Sequence, residues 1–149
     1  MSQAIHLKLM LEPVAKGRPR VSRQGRVYTP AKTAAFERDI QLLTQHLNPM
    51  GGALTLKACF VCKRPKSLRS AGGERVPKVT RPDIDNYLKA LLDGLNGSVF
   101  EDDAQLVELA GSKFYAAKGE DPHIQVEVMA FEGGVDAMGT STSSRKEES

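Results

Sequence analysis

The residues best suited to chemistry fall within one short stretch. Asp83-Ile84-Asp85-Asn86 opens an apolar helical pattern, Lys89 and Asp93 follow Asp85 at intervals of four and eight, and the acidic triplet Glu101-Asp102-Asp103 stands downstream. A single acid at a helix start is an ordinary cap or first-turn charge, and Asp85, Lys89 and Asp93 could form a salt-bridged solvated face. Several carboxylates gathered in space raise one another's pKa and weaken the fold unless a cation joins them. Oxygen donors without Cys or His favour Mg2+ or Mn2+ over zinc, so clustered acids in a basic surround point to a divalent-metal site.

The remaining metal-binding side chains do not compete. Cys59 and Cys62 form a C-x-x-C pair inside an apolar run, but His6, His46 and His123 lie far from it without ligand spacing. Both cysteines are expected to be small apolar residues on or near the end of a strand, in a reducing compartment.

The acids have a counterpart in the first part of the chain. The 149 residues carry a formal charge of only +3, yet residues 1–81 hold 16 basic and 4 acidic side chains, and residues 82–149 hold 5 and 14. Clustered Lys and Arg gain free energy by releasing counterions from nucleic-acid phosphates, so a polyanionic partner is implied. Two basic segments supply the charge: Lys16 to Arg26, and Lys63 to Arg81, where seven basic residues meet the single acid Glu74. Without a polyanion the second is expected to be mobile.

The elements that must position these residues follow from periodicity. Ile5, Leu7, Leu9 and Leu11 alternate as a strand, and Leu54, Leu56, Ala58, Phe60 and Cys62 form a second. A helix is expected from Thr29 to about Leu47, with Pro30 near its first position. The best-defined helix carries the stripe Ile84, Tyr87, Leu88, Leu91, Leu92 and Leu95, and strand-like stretches follow at 106–116 and 123–131. Together they predict one α+β domain over residues 1–132, a small mixed sheet carrying two main helices. The polar tail, residues 133–149, is expected to be disordered. No run of about eighteen apolar residues occurs and the start reads as neither a signal nor a transit peptide, so a cytoplasmic rather than a membrane or secreted protein is expected.

Residues 81–106, RPDIDNYLKALLDGLNGSVFEDDAQL, resemble the defining motif of the RusA family of Holliday junction resolvases, metal-dependent endodeoxyribonucleases often carried by phages and prophages. In this resemblance Asp83 and Asp85 correspond to the D-x-D acids, Lys89 to the catalytic lysine, and Asp103 to the third catalytic acid. KGRPRV at 16–21 and TPAK at 29–32 are similar to the basic amino-terminal pattern of many members. The resemblance implies a RusA-like fold, and paired symmetric nicking of four-way junction DNA by a homodimer, in recombination and repair. It also implies Mg2+, with Mn2+ as a substitute, and no small-molecule cofactor beyond the metal. Asp83, Asp85 and Asp103 would hold the ion, with Asp102 a further candidate ligand. Lys16, Arg18, Arg20, Arg64, Lys66 and Arg69 would track DNA phosphates. The alternative is a non-catalytic basic DNA-binding module whose acids only cap and solubilise a helix.

Overall fold

The computed structural model describes residues 4–18, 20–28, 30–68 and 72–132; Arg69 and the tail expected to be disordered lie outside them. In chain order the elements are β1 (Ala4–Leu9), β2 (Arg20–Val21), β3 (Val27–Tyr28), α1 (Ala31–Thr44), β4 (Leu54–Cys62), β5 (Val76–Pro77), α2 (Ile84–Leu95), β6 (Leu106–Tyr115) and β7 (His123–Ala130). Strands β2 and β3 form a small hairpin, and the others a five-stranded sheet in the order β1-β7-β4-β6-β5. This is the expected α+β architecture, a mixed sheet with two helices.

Strand β4 lies in the middle of the sheet, antiparallel to β7 and parallel to β6. Its apolar run fits that position: Leu54, Leu56, Ala58 and Phe60 are buried on one face and Thr55 and Val61 on the other. A parallel neighbour cannot be reached by a hairpin, so the chain between Cys62 and Leu106 crosses over through β5 and α2. That crossover carries Asp83, Asp85 and Lys89. The cysteines are both free, Cys59 half-buried and Cys62 buried, and alternation along β4 sends them to opposite faces of the sheet.

Helix α2 packs its stripe on the sheet, with the Tyr87 and Phe60 rings stacked at 5.3 Å. The two helices lie side by side and point the same way: Ile40 meets Gly94, and Thr44 Oγ1 lies 2.7 Å from Ser98 Oγ. A Cβ at Gly94 would sit 2.8 Å from Ile40 Cδ1 and 3.0 Å from Ile40 Cβ, and Ile40 is fully buried. Ala in place of Gly gains about 1 kcal/mol of helix propensity, but overpacking a filled core costs about 1–3 kcal/mol. Gly94→Ala is therefore expected to lower stability by about 1 kcal/mol despite its better propensity, as measured by urea unfolding.

Two expectations change. Helix α1 spans Ala31–Thr44 rather than reaching Leu47, because Thr44 turns its hydroxyl back to the Ile40 carbonyl and on to Ser98, and the chain then leaves in a turn. The described part of the 63–81 segment is tied down rather than mobile. Arg64 donates from Nη1 and Nη2 to the carbonyls of Glu74, Ala116, Leu68 and Gly72, and Arg75 pairs with Glu120 at 2.6 Å. That ion pair holds the Glu120 carboxyl at about 2, chiefly through the Arg75 hydrogen bond.

Candidate active site

The first acid pair stands where α2 begins. Asp83 occupies the N-cap position with extended backbone, yet its side chain makes no capping hydrogen bond. The cap reading therefore fails for Asp83, and its carboxylate is left available beside that of Asp85 in the first turn. Both residues are exposed. The helix N-terminus adds a partial positive charge that favours anions at this point.

The segment leading into this pair is clamped by two lysines. Lys78 is buried, and its Nζ donates to the carbonyls of Thr80 and Arg81 and to Thr80 Oγ1. Lys113 Nζ, from β6, donates to the Thr80 carbonyl at 2.8 Å and the Pro82 carbonyl at 2.7 Å. From the other side, Lys16 N–H donates to the Asn86 carbonyl at 2.9 Å. Backbone carbonyls on both sides of Asp83 and Asp85 are thus fixed by cationic residues or their backbone, which sets where the two carboxylates emerge.

The salt-bridged face read from Asp85, Lys89 and Asp93 does not form. Lys89 is exposed and takes part in no ion pair among the described residues. Asp93 pairs instead with Lys16 at 2.8 Å, and the same ammonium meets Glu37 at 2.6 Å. Burial pushes the Lys16 pKa down, but hydrogen bonds to Asp93 and Glu37 outweigh it and the net shift is upward. Lys16 is thus a strut tying α1 to α2, and Arg64, with its four carbonyls, pins a loop. Both are occupied inside the chain, where a phosphate-tracking role was expected; the exposed Arg18 and Lys66 make no such commitment among the described residues.

The second acid group is built differently. Asp102 caps the single turn Asp103–Gln105, its Oδ1 accepting from Ala104 N–H. Gln105 closes the box: its Oε1 accepts from Glu101 and Asp102 N–H, and its Nε2 donates to the Met50 and Gly52 carbonyls at 2.9 Å each. The turn is thereby bolted to the entrance of β4. Asp103 is the acid under strain. Its pKa is raised, first by burial, then by the hydrogen bond and charge of Asp102 and by the charge of Asp93, with Lys89 opposing. Lys89 thus acts electrostatically on Asp103, although it sits one helical turn after Asp85.

Asp83 and Asp85 stand at one end of α2 and Asp103 beside its other half, where eight residues from Asp85 to Asp93 span about 12 Å. Among the described residues of one chain, no three His, Cys, Asp or Glu side chains gather as a metal-holding group. Sequence reasoning did not single out Gln105, Lys78 or Lys113. For Gln105 the signal was present, since Asp102-Asp103-Ala104-Gln105 has the spacing of a capping box. Nothing in the sequence distinguishes Lys78 or Lys113 from the other lysines.

The acids near α2 offer oxygen donors without His or Cys beside them, and Lys89 stands exposed between the two groups. The model of the family Endodeoxyribonuclease RusA matches residues 11–129, and the chain belongs to that family. The family is one of endodeoxyribonucleases that resolve Holliday junctions, which implies binding of junction DNA, and its members generally depend on a divalent metal. A further relative is the uncharacterized protein YqaN of Bacillus subtilis (strain 168), 34% identical over 130 residues that cover 78% of this chain and 89% of that one. No helix among the described residues is long and apolar enough to cross a membrane.

Proposed function

We propose that this chain is a Mg2+-dependent junction resolvase, with Mn2+ as a substitute, whose residues 1–132 form the nuclease domain and whose homodimer cuts a four-way junction by paired symmetric nicks. Phage or prophage recombination and repair in a bacterial cytoplasm is the setting. The observation that carries the reading is the state of the acids: Asp83 holds a cap position without spending its carboxylate on the cap, and Asp103 is crowded by acids that a cation would relieve.

The donor set fits Mg2+, which is usually bound through one or two carboxylates together with water and substrate phosphate and needs no closed protein cage. Asp83 and Asp85 would hold one ion and Asp103, beside the other half of α2, a second; Asp102 is engaged as a cap and is the weaker candidate. When bound, the metal supplies Lewis acidity toward the scissile phosphate and lowers the pKa of a water. Lys89, unpaired within the described chain, is free to offset charge that develops on the phosphate in the transition state. Lys78 and Lys113 hold the backbone around Asp83 so that the carboxylates need not reorganise.

Arg18 and Lys66 lead the phosphate-binding cations, with Arg20 and Arg69 beside them in sequence; Lys16 and Arg64 support the surface from within. Removing one cation that neutralises a phosphate should lower the slope of log affinity against log salt by about 0.9, so Arg18→Ala and Lys66→Ala should each flatten it by about one. An unchanged slope would remove that residue from the DNA surface.

Asp103→Asn gives a test that does not depend on turnover. A folded-state pKa above the unfolded value means that ionised Asp103 costs stability at neutral pH, a cost relieved as pH falls through the folded pKa. The neutral variant is therefore expected to melt higher than wild type in EDTA, and to gain less from added Mg2+. A lower melting temperature in EDTA would show that Asp103 is structural. The reading as a whole is tested by binding of a synthetic four-way junction and its linear arms in EDTA, followed by addition of Mg2+. Junction-selective binding that turns to cleavage on adding metal supports it; binding with no cleavage in either metal supports the non-catalytic module.

A further inference from the structure

We propose that the β2–β3 hairpin reads the branch of the junction: the paired Val21 and Val27 side chains seat on a base pair laid bare at the point of strand exchange, while Arg23 and Arg26 meet flanking phosphates. This deepens the junction reading of the preceding section and rests on it, but not on the metal chemistry.

The hairpin stands apart from the main sheet. Its strands pair Arg20 with Tyr28 and Val21 with Val27. Ser22 N–H donates to the Arg26 carbonyl at 2.7 Å and Gly25 N–H to the Ser22 carbonyl at 2.9 Å, with Gly25 supplying the positive φ of 80° that closes the turn. With Ser22 bonded to Arg26, alternation makes Val21 and Val27 a non-hydrogen-bonded pair, the kind whose side chains lie closest, on one face of the ribbon. Both are largely uncovered, Val21 being 67% and Val27 68% exposed. A single exposed valine is ordinary. Here two face each other across a ribbon whose turn holds only Ser22, Arg23, Gln24, Gly25 and Arg26, and from Pro13 to Phe36 the chain has six Lys or Arg and no Asp or Glu. An apolar spot in so basic a setting fits a polyanion that also offers apolar faces, which is what nucleic-acid bases do.

The stem of the hairpin puts that spot beside the acids. Gly17 N–H donates to Thr33 Oγ1 at 3.1 Å, and a Gly17 Cβ would lie 2.8 Å from Pro30 Cγ, so the two ends of the segment close on each other. One residue earlier, Lys16 N–H holds the Asn86 carbonyl in the first turn of α2, next to Asp85. Arg18 and Pro30 of the stem line one cavity with Pro82, the neighbour of Asp83. Five residues from Lys16 to Val21 span at most about 17 Å, the length of about five base-pair steps, so a branch point and a nearby phosphate can be held by the same chain. A linear duplex must be unstacked before it admits an apolar wedge, whereas stacking is already interrupted at a four-way branch. The hairpin therefore favours junction over duplex without reading sequence; its arginines alone would bind both alike.

The fluorescent base aminopurine, placed at the branch or within one arm, tests this in EDTA, where nothing is cut. Its emission rises when it loses stacking on its neighbours. Wild type is expected to brighten the probe at the branch but not in the arm, and to bind the junction more tightly than its linear arms. Val21→Thr combined with Val27→Thr keeps the β-branched shape and removes the apolar face. That variant is expected to lose the branch signal and about tenfold of junction preference, with duplex affinity and salt slope unchanged. Val21→Ile combined with Val27→Ile should keep both, and circular dichroism confirms that each variant is folded. A wild type silent at the branch, or a threonine variant that keeps the signal or the preference, overturns the hairpin's role and leaves the nuclease reading standing. Equal weakening toward junction and duplex overturns it too, by making the valines an ordinary contact. So does a lower mass of the free threonine variant by light scattering, which would place the pair against a second copy. A wild type that binds the junction no better than its linear arms overturns the junction reading, and this role with it.

Discussion

Asp85→Asn is expected to lower junction cleavage at least about 1,000-fold while changing junction affinity in EDTA by less than about threefold. The expectation follows from where the side chain stands. Asp85 is exposed in the first turn of α2, makes no hydrogen bond or ion pair within the described chain, and does not support the core. Asparagine keeps its shape and helix position but removes the negative charge that an oxygen-bound divalent ion requires. A surface substitution of this kind usually moves stability by less than about 0.5 kcal/mol, so a change in melting temperature cannot account for lost cleavage. The same variant should lose most of the thermal stabilisation that Mg2+ gives wild type. Retained cleavage in Mg2+ would remove Asp85 from the metal site.

Lys89→Ala is expected to lower cleavage by about 100- to 1,000-fold with junction binding nearly intact, the loss appearing in the single-turnover rate rather than in affinity. Lys89 is a cation of the region that makes no ion pair among the described residues. Lys16 is held by Glu37 and Asp93, Lys78 and Lys113 by backbone carbonyls, Arg64 by four carbonyls and Arg75 by Glu120. A transition state gains most from a charge that stands ready without having to break a partner first. Alanine is also a better helix former than lysine at an exposed site, so a stability loss is not expected. Equal loss of binding and cleavage would instead make Lys89 one more phosphate-binding cation.

The legible parts of this protein were those written in local pattern. The stripe from Ile84 to Leu95 specifies α2 because six apolar residues fall on one face, and β4 is legible because its apolar residues alternate. Strand order was not legible, since periodicity says which face is buried and not which neighbour covers it; the parallel β4–β6 pair becomes visible only through the crossover that joins them. The acids were legible as a group because their spacing is short. Their division into a pair at the start of α2 and a pair at a capped turn depends on the length of α2 and on how Gln105 anchors that turn to Met50 and Gly52.

Basic residues were the hardest to read. Lys16, Arg64 and Lys66 look alike in a sequence, yet the first ties two helices, the second organises a loop and the third is exposed. The difference lies in partners far along the chain, such as Asp93 for Lys16 and Ala116 for Arg64. The charge split between the two parts of the chain therefore remains informative about a DNA partner, while several of its cations serve the fold first.

Acids of α2 and of the capped turn that cut junction DNA with metal, and do not merely shape a DNA-binding surface, must leave a defined pattern of nicks. The decisive experiment maps cuts on a four-way junction labelled in turn on each strand, in Mg2+, with Asp85→Asn as the matched control. Paired nicks at symmetry-related positions in wild type, absent from the variant and from linear duplex, are the predicted result. Cuts of equal yield on linear duplex, or nicks that persist in Asp85→Asn, would contradict it.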